Sequence, residues 1–250
     1  MIEIKDHLDP RILEFTKLRD HTLNDQGFIL AESEKLFLQF KANNKPLIKT
    51  LSTLEFAKRY NLNGDNHFIA SKDILEKIAG FKIFFEIIFL AKKPQDFELS
   101  LLDDQIILLN GLSSPENVGS IIRSSAAFKI NSIITDEKTC SPFLRRCIRV
   151  SMGNIFSMKT YHSICIRDDL SKLKALGYQI ISTANIDKSI EITKFKFPKK
   201  YVLIIGSEGH GVDHDILDLS DVVLRIKIDP QVAHLNAANA ASIFLYQMSL

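Results

Sequence analysis

The sequence is poor in cysteine. Its three cysteines, Cys140, Cys147 and Cys165, form no Cys-x-x-Cys pair, and any single disulfide would leave one of them over. A disulfide framework and a cysteine-ligated zinc site are therefore both disfavoured. His210 and His214 stand four residues apart, as zinc ligands can, but the His-Glu-x-x-His pattern is missing. We expect no metal in this protein.

The chain also lacks an excess of charge of one sign and a long apolar run. Its 32 Lys+Arg residues oppose 30 Asp+Glu residues, so bulk charge gives no argument for nucleic acid and any electrostatic footprint has to be local. The longest apolar run, Phe81–Ala91, is interrupted by Lys82 and Glu86 and falls short of the ~20 residues of a membrane-spanning helix. The first residues are too charged for a signal peptide. These features predict a cytoplasmic protein with no membrane partner.

What the sequence does contain is an alternation of short apolar strands with helical patterns, which is typical of α/β proteins. The first part has candidate strands separated by helices for which Ser33 and Ser71 serve as N-caps. These candidates are Phe28–Ala31, Pro46–Leu51, His67–Ala70 and Ile83–Leu90. From residue 105 the strands become continuously apolar, which indicates a mainly parallel sheet covered on both faces. They are Ile106–Leu109, Ile130–Thr135, Gln179–Thr183, Tyr201–Ile205 and Val222–Ile228, and a helix over Leu235–Met248 follows them.

A charged, proline-containing stretch, Lys92–Asp96, separates the two parts. At 250 residues the chain is long enough for two domains with separate cores. We therefore predict two α/β domains, residues 1–96 and residues 97–250.

Three polar constellations follow predicted strands of the second domain, where open α/β sheets bind ligands. The first runs from Asn110 through a Gly/Ser/Pro loop to Asn117 and Arg123, where a helix start exposes N–H groups that suit an anion. The second is Gly206-Ser-Glu-Gly-His-Gly211, whose glycines let the backbone turn sharply and approach a ligand. The third starts with the strand Val222–Ile228, continues through Asp229-Pro230 to Asn236 and runs into an alanine-rich helix. Taken singly, each also allows a plain structural interpretation: an N-cap, a turn, and a capped interface helix.

Together and in this order, the constellations resemble the three motifs of the SpoU (TrmH-like) branch of the SPOUT RNA methyltransferases. The first motif matches at Asn117-Val-Gly119 and Arg123, the second at Gly206–Gly211, and the third at Leu235-Asn236-Ala237. The segments Pro142–Gly153 and Phe28–Glu34 are also similar to the family. The resemblance covers nearly the whole chain and is most specific over residues 107–250.

The resemblance implies a C-terminal α/β knot, a deep trefoil with a mainly parallel sheet, and a smaller N-terminal α/β domain that binds the substrate RNA. It implies transfer of a methyl group from S-adenosylmethionine to a ribose 2′-hydroxyl of tRNA or rRNA. Family members are homodimers whose active site is completed across the interface, so the resemblance implies a homodimer here.

Two departures from the family leave an alternative open, an RNA-binding protein of the same fold without methyl transfer. Lys227 stands where the family usually has proline, and His234 stands where it usually has serine. A nucleotide-dependent oxidoreductase is disfavoured, because the order of the glycines differs from the dinucleotide fingerprint.

The resemblance also implies roles for single residues. Arg123 is the implied catalytic residue, and since a guanidinium stays protonated, we expect it to stabilise developing negative charge rather than to act as a base. Asn117 and Asn236 are implied to fix Arg123 and the ribose, and Glu208 to orient the loop and the arginine. The implied cofactor-binding residues are Gly206, Ser207, Gly209, Gly211, Ile226, Ile228, Leu235 and Ala237.

Two local basic segments are candidates for RNA contact. Within Ser141–Met152, helical spacing places Arg145, Arg146 and Arg149 on one side, as a basic stripe suited to phosphates. Residues Lys194–Lys200 combine four lysines with two phenylalanines. For this second segment, a solvated loop with its aromatic rings packed beneath is at least as good an interpretation.

Overall fold

The computed structural model describes residues 1–16, 19–42, 45–80 and 82–249, so Phe81, the first residue of the longest apolar run, lies outside the described residues. The chain divides into two compact units. The first comprises Met1–Pro94 and Phe143–Gly153, and the second comprises Gln95–Pro142 and Asn154–Leu250. The predicted boundary after residue 96 lies close to this division, but the return of residues 143–153 to the first unit was not predicted.

The first unit contains a mixed five-stranded sheet in the order β1-β4-β3-β5-β2. Strands β1, β4 and β3 run parallel, whereas β5 runs antiparallel to both β3 and β2. The strands are β1 (Ile2–Ile4), β2 (Phe28–Glu32), β3 (Leu47–Ser52), β4 (His67–Ala70) and β5 (Ile87–Lys92). The helices are α1 (Leu13–Thr16), α2 (Asp20–Asp25), α3 (Glu34–Ala42), α4 (Leu54–Arg59) and α5 (Lys72–Ala79).

Helix α5 shows how local sequence sets the limits of an element in this unit. The Ser71 hydroxyl accepts a hydrogen bond from the Ile74 N–H, and Gly80 ends the helix in the left-handed conformation, with φ at 78°. Both ends are as predicted. The strand predicted over Ile83–Leu90 is wrong at its start, because β5 begins only at Ile87 and Phe84 is 100% exposed.

The second unit contains a seven-stranded sheet in the order β10-β12-β9-β11-β6-β7-β8, and every strand pair in it is parallel. The strands are β6 (Gln105–Asn110), β7 (Ser132–Thr135), β8 (Lys159–His162), β9 (Gln179–Thr183), β10 (Ile190–Glu191), β11 (Tyr201–Gly206) and β12 (Val222–Arg225). Its helices are α6 (Pro115–Ala127), α8 (Ile166–Ala175), α9 (His214–Leu219) and α10 (Ala237–Met248), and α7 (Arg145–Val150) belongs to the first unit.

Strand order in this sheet brings the three polar constellations together. Strands β6 and β11 are neighbours, and Asn110 is paired with Gly206, so the first two constellations leave the sheet side by side. The polar part of the third follows β12. This strand ends at Arg225, whereas it was predicted to extend to Ile228. Helix α10 then packs against α6, with the hydroxyls of Ser124 and Ser242 2.9 Å apart.

Within the described residues, no helix combines the length and the apolar character that a membrane crossing requires.

Candidate functional site

One polar residue from each constellation joins a hydrogen-bonded chain. The Nδ2 of Asn117 donates to Oε1 of Glu208, and Nδ2 of Asn236 donates to Oδ1 of Asn117 at 3.0 Å. Asn236 also caps α10, because its Oδ1 accepts from the Ala238 N–H at 2.9 Å. The N-cap of α6 is Ser114, so the interpretation of Asn117 as that cap is wrong and its amide is committed to this chain. Residues far apart in sequence are thereby fixed together.

The loop after β11 closes on itself. Ser207 and Gly211 exchange backbone hydrogen bonds of 2.9 and 3.0 Å. Gly211 has φ at 70°, in the left-handed region that glycine adopts without strain. A Cβ on Gly206 would lie 2.1 Å from the backbone carbon of Gly211, so no side chain fits there. The backbone of the loop therefore packs directly against itself at the end of β11.

A cavity of about 250 Å³ opens beside this loop, close in size to the ~300 Å³ lower end of small-ligand pockets. All eight residues predicted to bind the cofactor line it, together with Glu208. They are Gly206, Ser207, Gly209, Gly211, Ile226, Ile228, Leu235 and Ala237. The structure thus brings the predicted set to one place, and cofactor binding by it stays a prediction.

Other residues of the cavity were missed from the sequence. Thr183, Ala184 and Asn185 line it at the end of β9, and Arg225 and Phe244 line it from β12 and α10. The residues at the end of β9 could have been found from their position in the chain. The strand was predicted with its observed bounds, and residues that follow a central parallel strand lie at the edge of the sheet where ligands bind.

The two residues that depart from the family pattern, His234 and Lys227, lie in different places. His234 lines the cavity and is exposed. Lys227 is exposed and does not line the cavity, although Ile226 and Ile228 on either side of it do. The lysine in place of proline therefore sends its side chain to solvent rather than into the cavity.

Arg123 does not join the site within one chain. It is exposed on α6 and is not among the cavity residues. At about 3.6 residues per turn, its side chain leaves the helix on a different face from that of Asn117, six residues earlier. Among the described residues no hydrogen bond joins Arg123 to Asn117, Asn236 or Glu208. Within a single chain these three residues therefore make no hydrogen bond to the arginine, and their role in fixing and orienting it stays a prediction.

A buried carboxylate ties together the strand ends that carry the site. Asp136 is 1% exposed and accepts hydrogen bonds from Nδ2 of Asn110 at 2.7 Å and from the Gly111 N–H at 3.0 Å. The Oδ1 of Asn110 accepts from the Asp213 N–H at 2.8 Å. Nζ of Lys138 donates to Asp213 Oδ2 at 2.8 Å, and this hydrogen bond lowers the pKa of Asp213. The first two constellations are therefore anchored to a common support.

The predicted basic stripe has a structural role in the first unit. Nε of Arg145 and Nη1 of Arg149 both donate to the Glu32 carboxylate at 2.6 Å. The Glu32 side chain is only 2% exposed, so the pair of arginines neutralises a buried charge at the end of β2. Arg146 is exposed. Two of the three arginines of the predicted stripe thus hold a buried carboxylate, and RNA contact by the stripe stays a prediction.

The lysine-rich segment matches its simpler interpretation. The rings of Phe195 and Phe197 pack edge to face at 5.1 Å, and Phe197 lies 5.4 Å from Tyr201. The lysines at positions 194, 196 and 199 are exposed around them.

In the part of the chain that the structure describes, no three His, Cys, Asp or Glu residues are grouped so as to hold a metal ion.

The profile of the SpoU rRNA Methylase family matches residues 104–246. An uncharacterized tRNA/rRNA methyltransferase of Mycobacterium tuberculosis is 26% identical over 190 residues, which cover 74% of this chain and 66% of that protein. The 23S rRNA (guanosine(2553)-2′-O)-methyltransferase RlmP of Bacillus subtilis is 27% identical over 148 residues, which cover 58% of this chain and 57% of that protein. The chain thus spans less than two thirds of the length of these curated relatives.

Solved structures extend the similarity to the fold. An S-adenosylmethionine-bound rRNA methyltransferase from Sinorhizobium meliloti has a TM-score of 0.85 at 20% identity, covering 98% of this chain and 96% of that one. The SpoU methyltransferase AviRb from Streptomyces viridochromogenes has a TM-score of 0.79 at 22% identity, covering 96% and 95%. The predicted fold class is confirmed: an α/β knot with a mainly parallel sheet and a smaller N-terminal α/β domain.

Proposed function

The chain belongs to the SpoU rRNA methylase family, and from this membership we propose that it transfers a methyl group from S-adenosylmethionine to a ribose 2′-hydroxyl of tRNA or rRNA. The observation that carries the proposal is the hydrogen-bonded chain Asn236–Asn117–Glu208, which links all three family motifs beside one cavity. The 2′-O-methyltransferase activity named for the Bacillus relative and the cofactor named for the Sinorhizobium structure support the reaction and the methyl donor.

The residues present suit this cofactor. A Cβ on Gly209 would meet no atom within 4 Å, so this glycine leaves open space at the cavity for the cofactor. Ile226, Ile228 and Leu235 supply apolar, half-buried contact area for an aromatic base. Glu208 supplies a carboxylate to a ligand that carries a sulfonium and an ammonium group. When bound, S-adenosylmethionine supplies an electrophilic methyl group.

The protein has to position the ribose hydroxyl and stabilise the negative charge that develops on its oxygen. Each Asn side chain has two N–H donors, and Asn117 and Asn236 each use one of them inside the hydrogen-bonded chain. The second N–H of each remains to hold the ribose. Glu208 fixes the orientation of Asn117, so that the two amides keep one arrangement before RNA arrives.

We propose that the protein is a homodimer in which Arg123 serves the partner's site. Arg123 is exposed on α6, the helix that packs against α10. Helix α10 in turn exposes two large side chains, Ile243 at 41% and Tyr246 at 56%. An interface on these two helices would bury that apolar surface and carry Arg123 to a second cavity.

The first unit is proposed to select the RNA. Arg146 is exposed on α7, the same helix whose Arg145 and Arg149 hold Glu32, which supports phosphate contact by this helix. A cytoplasmic location also belongs to the proposal, because none of the three cysteines forms a disulfide, which suits a reducing compartment.

The second candidate, an RNA-binding protein of the same fold without methyl transfer, is favoured by one observation. His234 stands at the cavity where family members usually have serine, and its larger ring takes up space beside Leu235. Lys227 gives this candidate no support, because its side chain is exposed away from the cavity.

Two measurements test the proposal. Calorimetry with S-adenosylmethionine should show binding, and absence of binding at millimolar cofactor would leave only the second candidate. Ribose-methylation mapping of total RNA from a deletion strain should reveal a nucleotide that has lost its 2′-O-methyl group. Complementation with the unchanged chain should restore that methyl group, and complementation with Arg123→Ala should not. An unchanged methylation map would contradict the enzymatic proposal.

A further inference from the structure

Arg225 is the last residue of β12, and its guanidinium is incompletely paired. Its Nε is buried and has no hydrogen-bond partner among the described residues. Its nearest acid is Glu191, paired with it in the sheet register, but Nη2 and Oε1 lie 3.9 Å apart, too far for a hydrogen bond. Glu191 is also shared, because Nζ of Lys194 lies 3.6 Å from its other oxygen.

The Nε of Arg225 is sealed from solvent, so only the rest of the guanidinium can meet a ligand. Arg225 lines the same cavity as Gly206 and Ile226, and its side chain is 35% exposed. Since Glu191 lies 3.9 Å away, the terminal N–H groups of Arg225 are in reach of an acceptor on a ligand in that cavity.

Charge complementarity identifies the acceptor. Among the described residues that line the cavity, Arg225 is the only one with a permanent positive charge, and Glu208 is the only carboxylate. S-adenosylmethionine carries two cationic groups, the sulfonium and the α-ammonium, and a single anionic group, the α-carboxylate. An arginine paired only at 3.9 Å with Glu191 would repel the cationic groups and attract the carboxylate.

We propose that Arg225 binds the α-carboxylate of S-adenosylmethionine and thereby selects cofactors that carry one. The inference rests on the proposed function, because it concerns the same cavity and the same ligand. The planar guanidinium presents paired N–H donors that match a carboxylate, which an ammonium does not. Glu191 holds the arginine loosely in place without saturating it.

The test compares two ligands that differ only in the carboxylate, S-adenosylmethionine and its decarboxylated form, by calorimetry. Arg225→Gln should weaken binding of S-adenosylmethionine by about 10- to 100-fold, the range for one charge-assisted hydrogen-bonded contact. The same substitution should leave binding of the decarboxylated ligand unchanged or tighter, because a repulsive charge is removed. Arg225→Lys should recover only part of the loss, since the paired donors are missing.

Glu191→Gln is the matched control, because it removes the ion pair and keeps the arginine. It should leave S-adenosylmethionine binding unchanged or tighter, and thermal unfolding should verify that each variant is folded. Equal effects of Arg225→Gln on both ligands, or no effect on either, would overturn the inference while the proposed function stands. Failure of the unchanged protein to bind S-adenosylmethionine would overturn both.

Discussion

Two glycines in the loop after β11, Gly206 and Gly209, are needed for different reasons. A Cβ on Gly206 would lie 2.1 Å from the Gly211 backbone carbon and 2.2 Å from the Val212 nitrogen. A Cβ on Gly209 would meet no atom within 4 Å, although Gly209 lines the cavity. Gly206 is thus required by the path of the backbone, whereas Gly209 leaves open the space that a ligand would fill.

Alanine at each position should separate these two requirements. Gly206→Ala should force the Ser207–Gly211 pair apart and lower the free energy of unfolding by about 1–3 kcal/mol, the usual cost of overpacking. Gly209→Ala should leave the free energy of unfolding unchanged and weaken cofactor binding, because its Cβ projects into open space at the cavity. Urea unfolding and calorimetry measure the two effects. Equal stability of the two variants would contradict the steric argument.

The pair of Lys138 and Asp213 makes part of the stability depend on pH. The hydrogen bond from Lys138 lowers the pKa of Asp213, so its contribution is present above the unfolded-state pKa of ~3.9 and is lost as pH falls through the folded value. Lys138→Met should lower the free energy of unfolding at pH 7 only slightly, since both side chains are partly exposed. Urea unfolding between about pH 5 and pH 3 should show the difference shrinking. A difference that stays constant in acid would refute the assignment.

At the scale of elements, the strands that the sequence failed to reveal are all at sheet edges. Strands β1, β8 and β10 have 3, 4 and 2 residues and each ends a sheet. An edge strand has one neighbour and keeps a side toward solvent, so it needs no apolar run. The central strands β6, β9 and β11 are covered on both faces and carry continuous apolar runs, which is why the sequence predicted them.

Which elements pair with one another was harder to predict from the sequence than which elements exist. The site depends on β11 lying beside β6, a contact between strands about ninety residues apart that no local pattern encodes. Only the family resemblance predicted that the three motifs meet. In the same way, the basic face of α7 was visible in the sequence, but its buried partner Glu32 lies on β2, more than a hundred residues earlier. Contacts between distant segments decide both features.

The contact of α7 with β2 yields a prediction about stability. Glu32→Gln replaces a carboxylate that is 2% exposed and leaves Arg145 and Arg149 facing a neutral amide. Breaking a buried ion pair on one side costs about 3–5 kcal/mol, so the variant should lose roughly that much in urea unfolding. Glu34→Gln is the matched control: its carboxylate is 43% exposed, so this substitution should lose clearly less free energy of unfolding than Glu32→Gln. Similar losses for both substitutions would argue against a structural clamp.

At the scale of the whole molecule, one chain holds a cavity and the polar residues of three motifs, but not the arginine of the first motif. Arg123 faces solvent on α6, and no hydrogen bond or ion pair ties it down in the described part of the chain. The sequence alone could place Arg123 on a helix, but not decide which site it serves. A dimer in which Arg123 crosses to the partner reconciles the family's use of this residue with its position here.

Arg123→Ala should accordingly separate binding from catalysis. It should leave S-adenosylmethionine binding within a few-fold, because Arg123 does not line the cavity. It should reduce single-turnover methylation of the substrate RNA by roughly 10²–10⁴, the scale for a positioned catalytic group. Lysine at this position should restore little, since an ammonium lacks the planar set of donors. Turnover at the parental rate would remove Arg123 from the mechanism.

Mixing two inactive variants decides whether the arginine acts across the dimer. Arg123→Ala keeps an intact cavity, whereas Glu208→Ala keeps the arginine and loses the carboxylate that orients Asn117. In a mixed dimer, the cavity of the Arg123→Ala chain receives Arg123 from the Glu208→Ala chain. One of the two sites of the mixed dimer is therefore complete. Subunits exchanged at equal concentration should therefore recover about a quarter of the parental activity, because half of the dimers are mixed and each has one working site. If Arg123 served its own chain instead, no mixed dimer would contain a complete site and the mixture would stay as inactive as its parts.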